Sequence, residues 1–242
     1  MMRALLHHEV RHILDTRGSL VALVLAALAT LGLVAGVVFL LHGESSSVPV
    51  AEALGMVVLV APLTIALVVV LAASGEWTHG TAGTTVPMVS SRSALFVAKL
   101  LAVLIVAVGL YLFASAAVTL GAVGISLARG GEVQWGGGWS QLYAGLVATL
   151  LASFFGYGMV SLIRGFLLSS LAVVAVTLGW NLFASSVLHD HDGYLQSLTP
   201  LSLAVADQGV EMPPALAVFS SLSLWYVLPL VIGWRRYVTA NL

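Results

Sequence analysis

The sequence predicts an all-α membrane protein that crosses the bilayer six times. Of its 242 residues, 60% are hydrophobic and only 8% are charged, and the mean hydropathy is +1.07. A soluble globule needs more polar surface than this composition supplies. The apolar runs match helices that span a hydrocarbon core of roughly 30 Å, and they are far longer than the alternating segments of a membrane β-barrel.

Six apolar runs are long enough to cross a bilayer. They cover residues 19–41, 53–73, 95–127, 142–163, 166–188 and 215–234. The third run exceeds one crossing, so we expect its first turns, around Lys99, to lie at the membrane interface.

The orientation follows from the basic residues, because Lys and Arg near span ends are retained in the cytoplasm. If both termini are cytoplasmic, eight of the nine Lys and Arg residues lie inside. These are Arg3, Arg11, Arg17, Arg92, Lys99, Arg164, Arg235 and Arg236. The sequence therefore predicts a multi-pass protein of the inner (plasma) membrane with both termini in the cytoplasm.

Residues 1–18 precede the first span and have an amphipathic pattern. Apolar residues recur at helical spacing, at Leu6, Val10, Ile13 and Leu14. Polar residues lie on the other side, at His8, Arg11, His12 and Asp15. We predict an interfacial helix along the inner leaflet. The alternative is a simple extension of the first span.

Small residues within the spans predict close helix packing. Gly32 and Gly36 form a GxxxG motif, which indicates a subunit interface, or otherwise packing within one subunit. A second stripe consists of Ala144, Ala148, Ala152 and Gly156. For this stripe, packing within the subunit is at least as well supported as a subunit interface. Asn181 is an amide inside a span, so it either bonds a neighbouring helix, which we favour, or lines a substrate path.

The outer loop 189–214 contains the run YLQSLTPLSLAVADQG, which is too apolar for a solvated loop and too short to cross. We expect short re-entrant helices that enter the outer leaflet before the sixth span. The loop begins with HDHD, at His189, Asp190, His191 and Asp192. These are ligand types for zinc or copper, but neighbours in sequence rarely converge on one ion, so we predict no metal site and keep a metal-handling protein as an alternative.

The chain lacks the sequence motifs of several enzyme classes. There is no P-loop, no H-E-x-x-H and no G-x-S-x-G, so we expect no catalytic residues and no bound cofactor. The net charge of −1 favours no nucleic-acid partner. Buried chains of carboxylates and histidines, which relay protons in secondary transporters, are missing from the span interiors. Uphill transport would therefore draw its energy from another subunit.

The segment 74–94 is the polar exception in this apolar chain, and the predicted topology places it in the cytoplasm. It carries Glu76-Trp77 and Gly80-Thr81, then Arg92, and Ala98-Lys99 follows it. This order and spacing resembles the pattern after the second span of ABC-2 type permeases, the membrane subunits of type V ATP-binding-cassette exporters. The interfacial helix, the six spans and the re-entrant helices extend the resemblance over residues 1–242, as a single transmembrane domain.

The resemblance implies that segment 74–94 is a coupling helix that docks on a cytoplasmic ATPase. Glu76, Trp77, Gly80, Thr81, Arg92 and Lys99 would belong to this coupling element. It also implies export, ATP and Mg²⁺ on the partner subunit only, and pairing with a second permease copy or a similar chain in the lipid membrane. The apolar spans favour a hydrophobic or amphipathic substrate, such as a drug, a lipid-linked molecule or an antimicrobial peptide. A non-conducting structural or regulatory membrane protein is the alternative.

Overall fold

A computed structural model of the chain describes residues 2–15, 17–42, 47–78, 91–187, 192–197 and 213–239. In this part of the chain every regular element is helical. The helices are α1 (Met2–Asp15), α2 (Arg17–His42), α3 (Val50–Thr78), α4 (Arg92–Ala128), α5 (Gly138–Ile163), α6 (Phe166–Val187), the short α7 (Asp192–Leu195) and α8 (Ala215–Thr239). Helices α6 and α8 each contain a π-helical segment, at Ala175–Trp180 and Ser223–Val227.

Six of these helices are long and apolar enough to cross a membrane, which confirms the predicted all-α, multi-pass class. The candidate spans are Gly18–Gly36, Val50–Gly75, Arg92–Ala128, Gly138–Ile163, Phe166–Val187 and Ala215–Thr239. The third is a single 37-residue helix, as its long apolar run predicts. The predicted coupling helix falls mainly on residues 79–90 and the re-entrant helices mainly on 198–212, both outside the described residues.

Helices α3 and α5 form the centre of the bundle, and small residues allow their close approach. A Cβ atom added to Gly156 would lie 2.8 Å from the carbonyl oxygen of Ala66 on α3. Ala144 and Ala148, on the same stripe, are 0% and 4% exposed. The second small-residue stripe therefore packs within the chain, as the more conservative interpretation predicts.

Helix α2 lies at the side of the bundle, where the hydroxyls of Thr30 and Thr64 join it to α3 at 3.1 Å. Gly32 and Gly36 have no atom within 4 Å of an added Cβ. The GxxxG motif thus mediates no packing among the described residues. Its assignment to a subunit interface stays a prediction.

Helix α1 is separate from α2 and packs against the beginning of α4. Leu6, Val10 and Ile13 contact the core, as their spacing predicts. The Leu14 side chain is 45% exposed, and its assignment to the lipid-facing side of an interfacial helix stays a prediction. Glu9 also lies on the buried side and is only 6% exposed.

Candidate functional site

One end of the bundle, here called the basic end, brings together α1, the end of α3, the beginning of α4, the α5–α6 turn and the end of α8. Consecutive spans run in opposite directions, so their basic residues collect at this end, while Arg129 lies at the opposite end. The predicted coupling segment leaves from α3 and returns to α4 at the same end. The basic end is therefore the first candidate site.

Lys99 and Glu9 form an ion pair at the basic end that is almost completely removed from solvent. Lys99 Nζ lies 3.1 Å from Glu9 Oε2, and the two side chains are 14% and 8% exposed. A charge in such a site needs a partner, because an unpaired buried charge is strongly unfavourable. The pair fastens α1 to the second turn of α4.

Lys99 is a predicted coupling residue, but the sequence analysis did not predict its partner Glu9. The available signal was the position of Glu9, which shares the face of α1 that carries Leu6, Val10 and Ile13. A carboxylate among apolar neighbours needs a cation, and Lys99 is the only lysine in the chain.

Arg92 begins α4 immediately after a side-chain cap. The Ser91 hydroxyl accepts a hydrogen bond from the Ala94 amide at 3.3 Å, which satisfies one of the free donors of the first turn. Arg92 Nη1 then donates to the Val238 carbonyl at 3.1 Å. The first turn of α4 is thus tied to the end of α8.

The second turn of α4 is tied to α5 in the same way. The Tyr157 hydroxyl donates to the Phe96 carbonyl at 3.0 Å, and the Phe96 ring packs against the rings of Tyr157 and Tyr237. Together with Lys99 and Arg92, these contacts connect the start of α4 with α1, α5 and α8.

The other predicted coupling residues are distributed on both sides of the polar segment. Glu76 and Trp77 lie in the last turn of α3, which continues helically to Thr78. Gly80 and Thr81 lie outside the described residues. The structure therefore brings Arg92 and Lys99 together on α4 and places Glu76 and Trp77 on the helix at the other end of the segment.

A second basic feature of this end is the two-residue turn between α5 and α6. Arg164 occupies the left-handed region, with φ = 61°, and Gly165 follows it. The Arg164 guanidinium donates to the Arg236 carbonyl, and Arg236 Nη1 donates to the Leu162 carbonyl at 2.5 Å. Burial, and then the positive charge of Arg236, lower the pKa of Arg164.

The opposite part of the molecule contains a second candidate site, where residues 192–197 lie between α6 and α8. The indoles of Trp180 and Trp225 both donate to the Leu195 carbonyl, at 3.0 and 2.6 Å. Trp180 ends the π-helical segment of α6, and Trp225 lies in that of α8. Such segments distort the helix and are frequent at functional sites.

Side chains also satisfy the neighbouring carbonyls of this short segment. The Ser220 hydroxyl donates to Tyr194 at 2.8 Å, Ser221 to Gln196 at 2.5 Å and Tyr226 to Ser197 at 2.5 Å. Four consecutive carbonyls, 194 to 197, thus each have a side-chain donor. The last carbonyls of a short helix and those of the residues after it have no partners within the helix, so side-chain donors satisfy them here.

Asn181 holds the end of the same segment. Its Nδ2 donates to the Ser197 hydroxyl at 2.9 Å, and its Oδ1 accepts from the Ser197 amide at 2.9 Å. Its Nδ2 also contacts the carbonyls of Val176 and Thr177. These contacts support a structural role for Asn181, as we favour from the sequence, but its partner is this segment rather than a neighbouring helix.

Two spaces in the bundle adjoin these elements. A cavity of about 50 Å³ is bounded by apolar residues of α3 and α5, with Thr177, Ser197 and Tyr226 among its polar groups. A larger groove of about 520 Å³ opens between α2, α3 and α6 and is apolar except for Thr64 and Ser170. Helix α3 lines both spaces.

Metal binding finds no support in the part of the chain that the structure describes. That part contains no group of three or more His, Asp or Glu side chains able to hold an ion. His189, Asp190 and His191 of the HDHD run lie outside it, and only the backbone of Asp192 is described. The prediction that this run holds no metal stays a prediction.

Comparison of the chain with models of protein families, with characterised proteins and with solved structures finds no match. The resemblance to ABC-2 type permeases therefore rests on the residues of segment 74–94 and their place between the second and third spans.

Proposed function

We propose that this chain is the permease subunit of an ATP-binding-cassette exporter. In this function it moves a hydrophobic or amphipathic substrate outward across the cell membrane while a separate cytoplasmic subunit hydrolyses ATP with Mg²⁺. One observation carries the proposal: the beginning of α4, which directly follows the polar segment, is bonded to α1, α5 and α8. A partner that docks on the segment can thereby act on most of the bundle.

The coupling element connects the end of α3 to the beginning of α4, so a movement imposed on it displaces both helices. Arg92 would pass the displacement to α8 through Val238, and Lys99 would pass it to α1 through Glu9. Lys99 is too buried to face the ATPase itself, so its part in coupling is to hold α1 on α4. Glu76 and Trp77, at the end of α3, would supply the other side of the docking surface.

The groove between α2, α3 and α6 supports the substrate class. Its walls are almost wholly apolar, which suits a hydrophobic molecule or the apolar part of an amphipathic one. Since α3 lines both the groove and the inner cavity, a movement of α3 changes the shape of both spaces. A second copy that packs on the Gly32–Gly36 face of α2 would close the path from the side.

Residues 192–197 fit a re-entrant element that closes this path toward the outside. Ser197 lines the inner cavity, and the segment reaches Tyr226, twelve positions into the α8 span. The direction assigned here, with the basic end in the cytoplasm, follows the rule that Lys and Arg remain inside.

The decisive experiment is purification of the tagged chain from its native membrane, followed by identification of copurifying ATPases. We expect a stable complex with a P-loop ATPase, whose hydrolysis rate the chain modulates. Glu76→Ala and Arg92→Ala should express normally but uncouple hydrolysis from transport, because an orphaned charge at a docked interface costs about 2–5 kcal/mol.

The matched control is the pair Asp190→Ala and Asp192→Ala in the outer loop, which should leave coupling unchanged. Two results would contradict the proposal. One is the absence of any ATPase from the purified material, which favours a non-conducting structural protein. The other is loss of transport in the outer-loop variant while the Glu76 and Arg92 variants behave like the wild type.

A further inference from the structure

The π-helical segment of α6, Ala175–Trp180, ends at a residue that compensates for the wider backbone register. The Asn181 amide donates to the carbonyls of Val176 and Leu178 rather than to that of Thr177, its partner in a regular α-helix. The Asn181 side chain satisfies the Thr177 carbonyl instead, through Nδ2 at 2.8 Å. The side chain of Asn181 therefore supplies the hydrogen bond that its own backbone gives up.

The same side chain holds the segment 192–197. The second hydrogen of Asn181 Nδ2 goes to the Ser197 hydroxyl at 2.9 Å, and Oδ1 accepts from the Ser197 amide at 2.9 Å. In a regular α-helix the Asn181 amide would bond Thr177, and the helix beyond it would be turned by roughly 100°. Asn181 would then face away from Ser197. The π register and the attachment of the segment therefore depend on each other.

The π-helical segment of α8 has a different cause. The Leu228 amide donates to the Ser223 carbonyl, five residues earlier. The next residue is Pro229, which has no amide hydrogen for the Trp225 carbonyl and whose ring crowds that carbonyl in an α-helix. The proline disfavours a regular α-helix at this point whatever α8 contacts. Because residues 166–187 contain no proline, the register of α6 is the one that can change.

The two halves of α6 are held unequally. Phe166–Val174 packs on α3 and α5, and its Ser169 and Val173 side chains are fully buried. Asn181–Val187 has its main contact outside α6 with the short helix α7, and Leu182 is among its exposed residues. A change of register would therefore turn Asn181–Val187, here called the second half of α6, and leave the first half in place.

We infer that the second half of α6 has two positions and that the contact between Asn181 and Ser197 selects between them. With the segment 192–197 attached, α6 keeps its π-helical turn. When the segment leaves, α6 becomes regularly α-helical, and its second half turns by roughly 100° and advances by about 1.5 Å. This movement opens the cavity that Thr177 and Ser197 line. Its use as an exit step for a substrate rests on the proposed function, whereas the change of register does not.

The test follows the exposure of Ala184, which is fully buried in the second half of α6. The chain has no cysteine, so Ala184→Cys can be labelled alone with N-ethylmaleimide in the purified full chain and followed by intact mass. We expect slow labelling in this background. Addition of Asn181→Ala should accelerate labelling about tenfold, because the lost hydrogen bonds no longer favour the attached position. Ser185→Cys, at an exposed position, gives the rate for an accessible thiol.

A deletion distinguishes control of the register from an ordinary structural contact. Removal of Gly179 takes the extra residue out of the π-helical turn, so α6 can be regularly α-helical while its second half stays in the attached position. Gly179 suits this deletion because an added Cβ there has no atom within 4 Å. Combined with Asn181→Ala, the deletion should return Ala184→Cys to slow labelling. If this variant does not fold, deletion of the exposed Leu178 removes the same extra residue.

The matched control is Ser186→Ala, which removes a hydroxyl hydrogen bond within the second half of α6 and should leave labelling unchanged. An equal acceleration in this control would overturn the inference, because it would show general loosening. Unchanged labelling after Asn181→Ala would show that this residue does not select the position. Acceleration that neither deletion reverses, or failure of both deletions to fold, would make Asn181 an ordinary structural contact. Labelling needs neither ATPase nor substrate, so these results do not depend on the proposed transport function.

Discussion

The buried Glu9–Lys99 pair yields the sharpest prediction about stability. Glu9→Leu removes the carboxylate from beside the Lys99 ammonium, and Lys99→Met removes the ammonium from beside Glu9. Loss of one member of a buried pair costs about 3–5 kcal/mol. We expect about 3 kcal/mol, the lower limit, because the Lys99 side chain keeps 14% of its exposure.

Replacement of both charges should be far milder than either single change. The combination of Glu9→Leu and Lys99→Met removes both charges of the pair, and apolar substitutes for buried pairs are often neutral. For a chain of this size, about 3 kcal/mol corresponds to a decrease in melting temperature of about 6–12 °C. The double variant should therefore melt close to the wild type, while both single variants melt well below it.

The assay is thermal unfolding of the purified protein in detergent, followed by tryptophan fluorescence, with protease cleavage at Arg11 as a local report on α1. The matched control is Asp15→Asn, which breaks the exposed pair with Arg11 and keeps the cleavage site; the Arg11 and Asp15 side chains are 72% and 71% exposed. It should melt within about 2 °C of the wild type. A double variant as unstable as the sum of the single ones would refute the reasoning, because the two charges would then act independently.

Two other contacts give further predictions. Gly156→Leu should lower the free energy of unfolding of the monomer by about 1–3 kcal/mol, since an added Cβ lies 2.8 Å from a backbone oxygen of α3. Gly36→Leu has open space, so unfolding should stay unchanged while crosslinking between copies falls; equal unfolding of both variants would contradict this difference. Trp180→Phe and Trp225→Phe each leave Leu195 one donor, so each should have little effect on unfolding. The double variant leaves that carbonyl without either indole donor, which should lower the free energy of unfolding by about 1–3 kcal/mol. If the effects of the two single variants simply add up to that of the double variant, the shared contact is disproved.

The success of the helix predictions has a simple physical basis. Whether a run of residues spans a bilayer depends on its own length and hydropathy, so α2 to α6 and α8 could be located from the residues alone. The same holds for the face of α1 at Leu6, Val10 and Ile13.

Partners between distant residues had no comparable signal. The apolar neighbours of Glu9 indicate that it needs a cation but do not place it against Lys99, 90 positions later, and no pattern indicates that Asn181 meets Ser197. The small-residue stripe on α5 and the GxxxG motif on α2 have the same spacing of small residues in the sequence. Yet the stripe packs on α3, whereas the two glycines have no described atom within 4 Å of an added Cβ. Helix order and packing decide which of these surfaces are covered.

The sequence by itself determined the class of this protein, the number of its spans and the end at which its basic residues collect, because these depend on local hydropathy and charge. Only the tertiary structure decided how the start of α4 is held, which carbonyls the indoles of Trp180 and Trp225 satisfy, and that Arg164 and Arg236 adjoin. The physical reason is that a side chain's own chemistry sets its need for a partner, whereas the packing of distant helices determines which partner it finds.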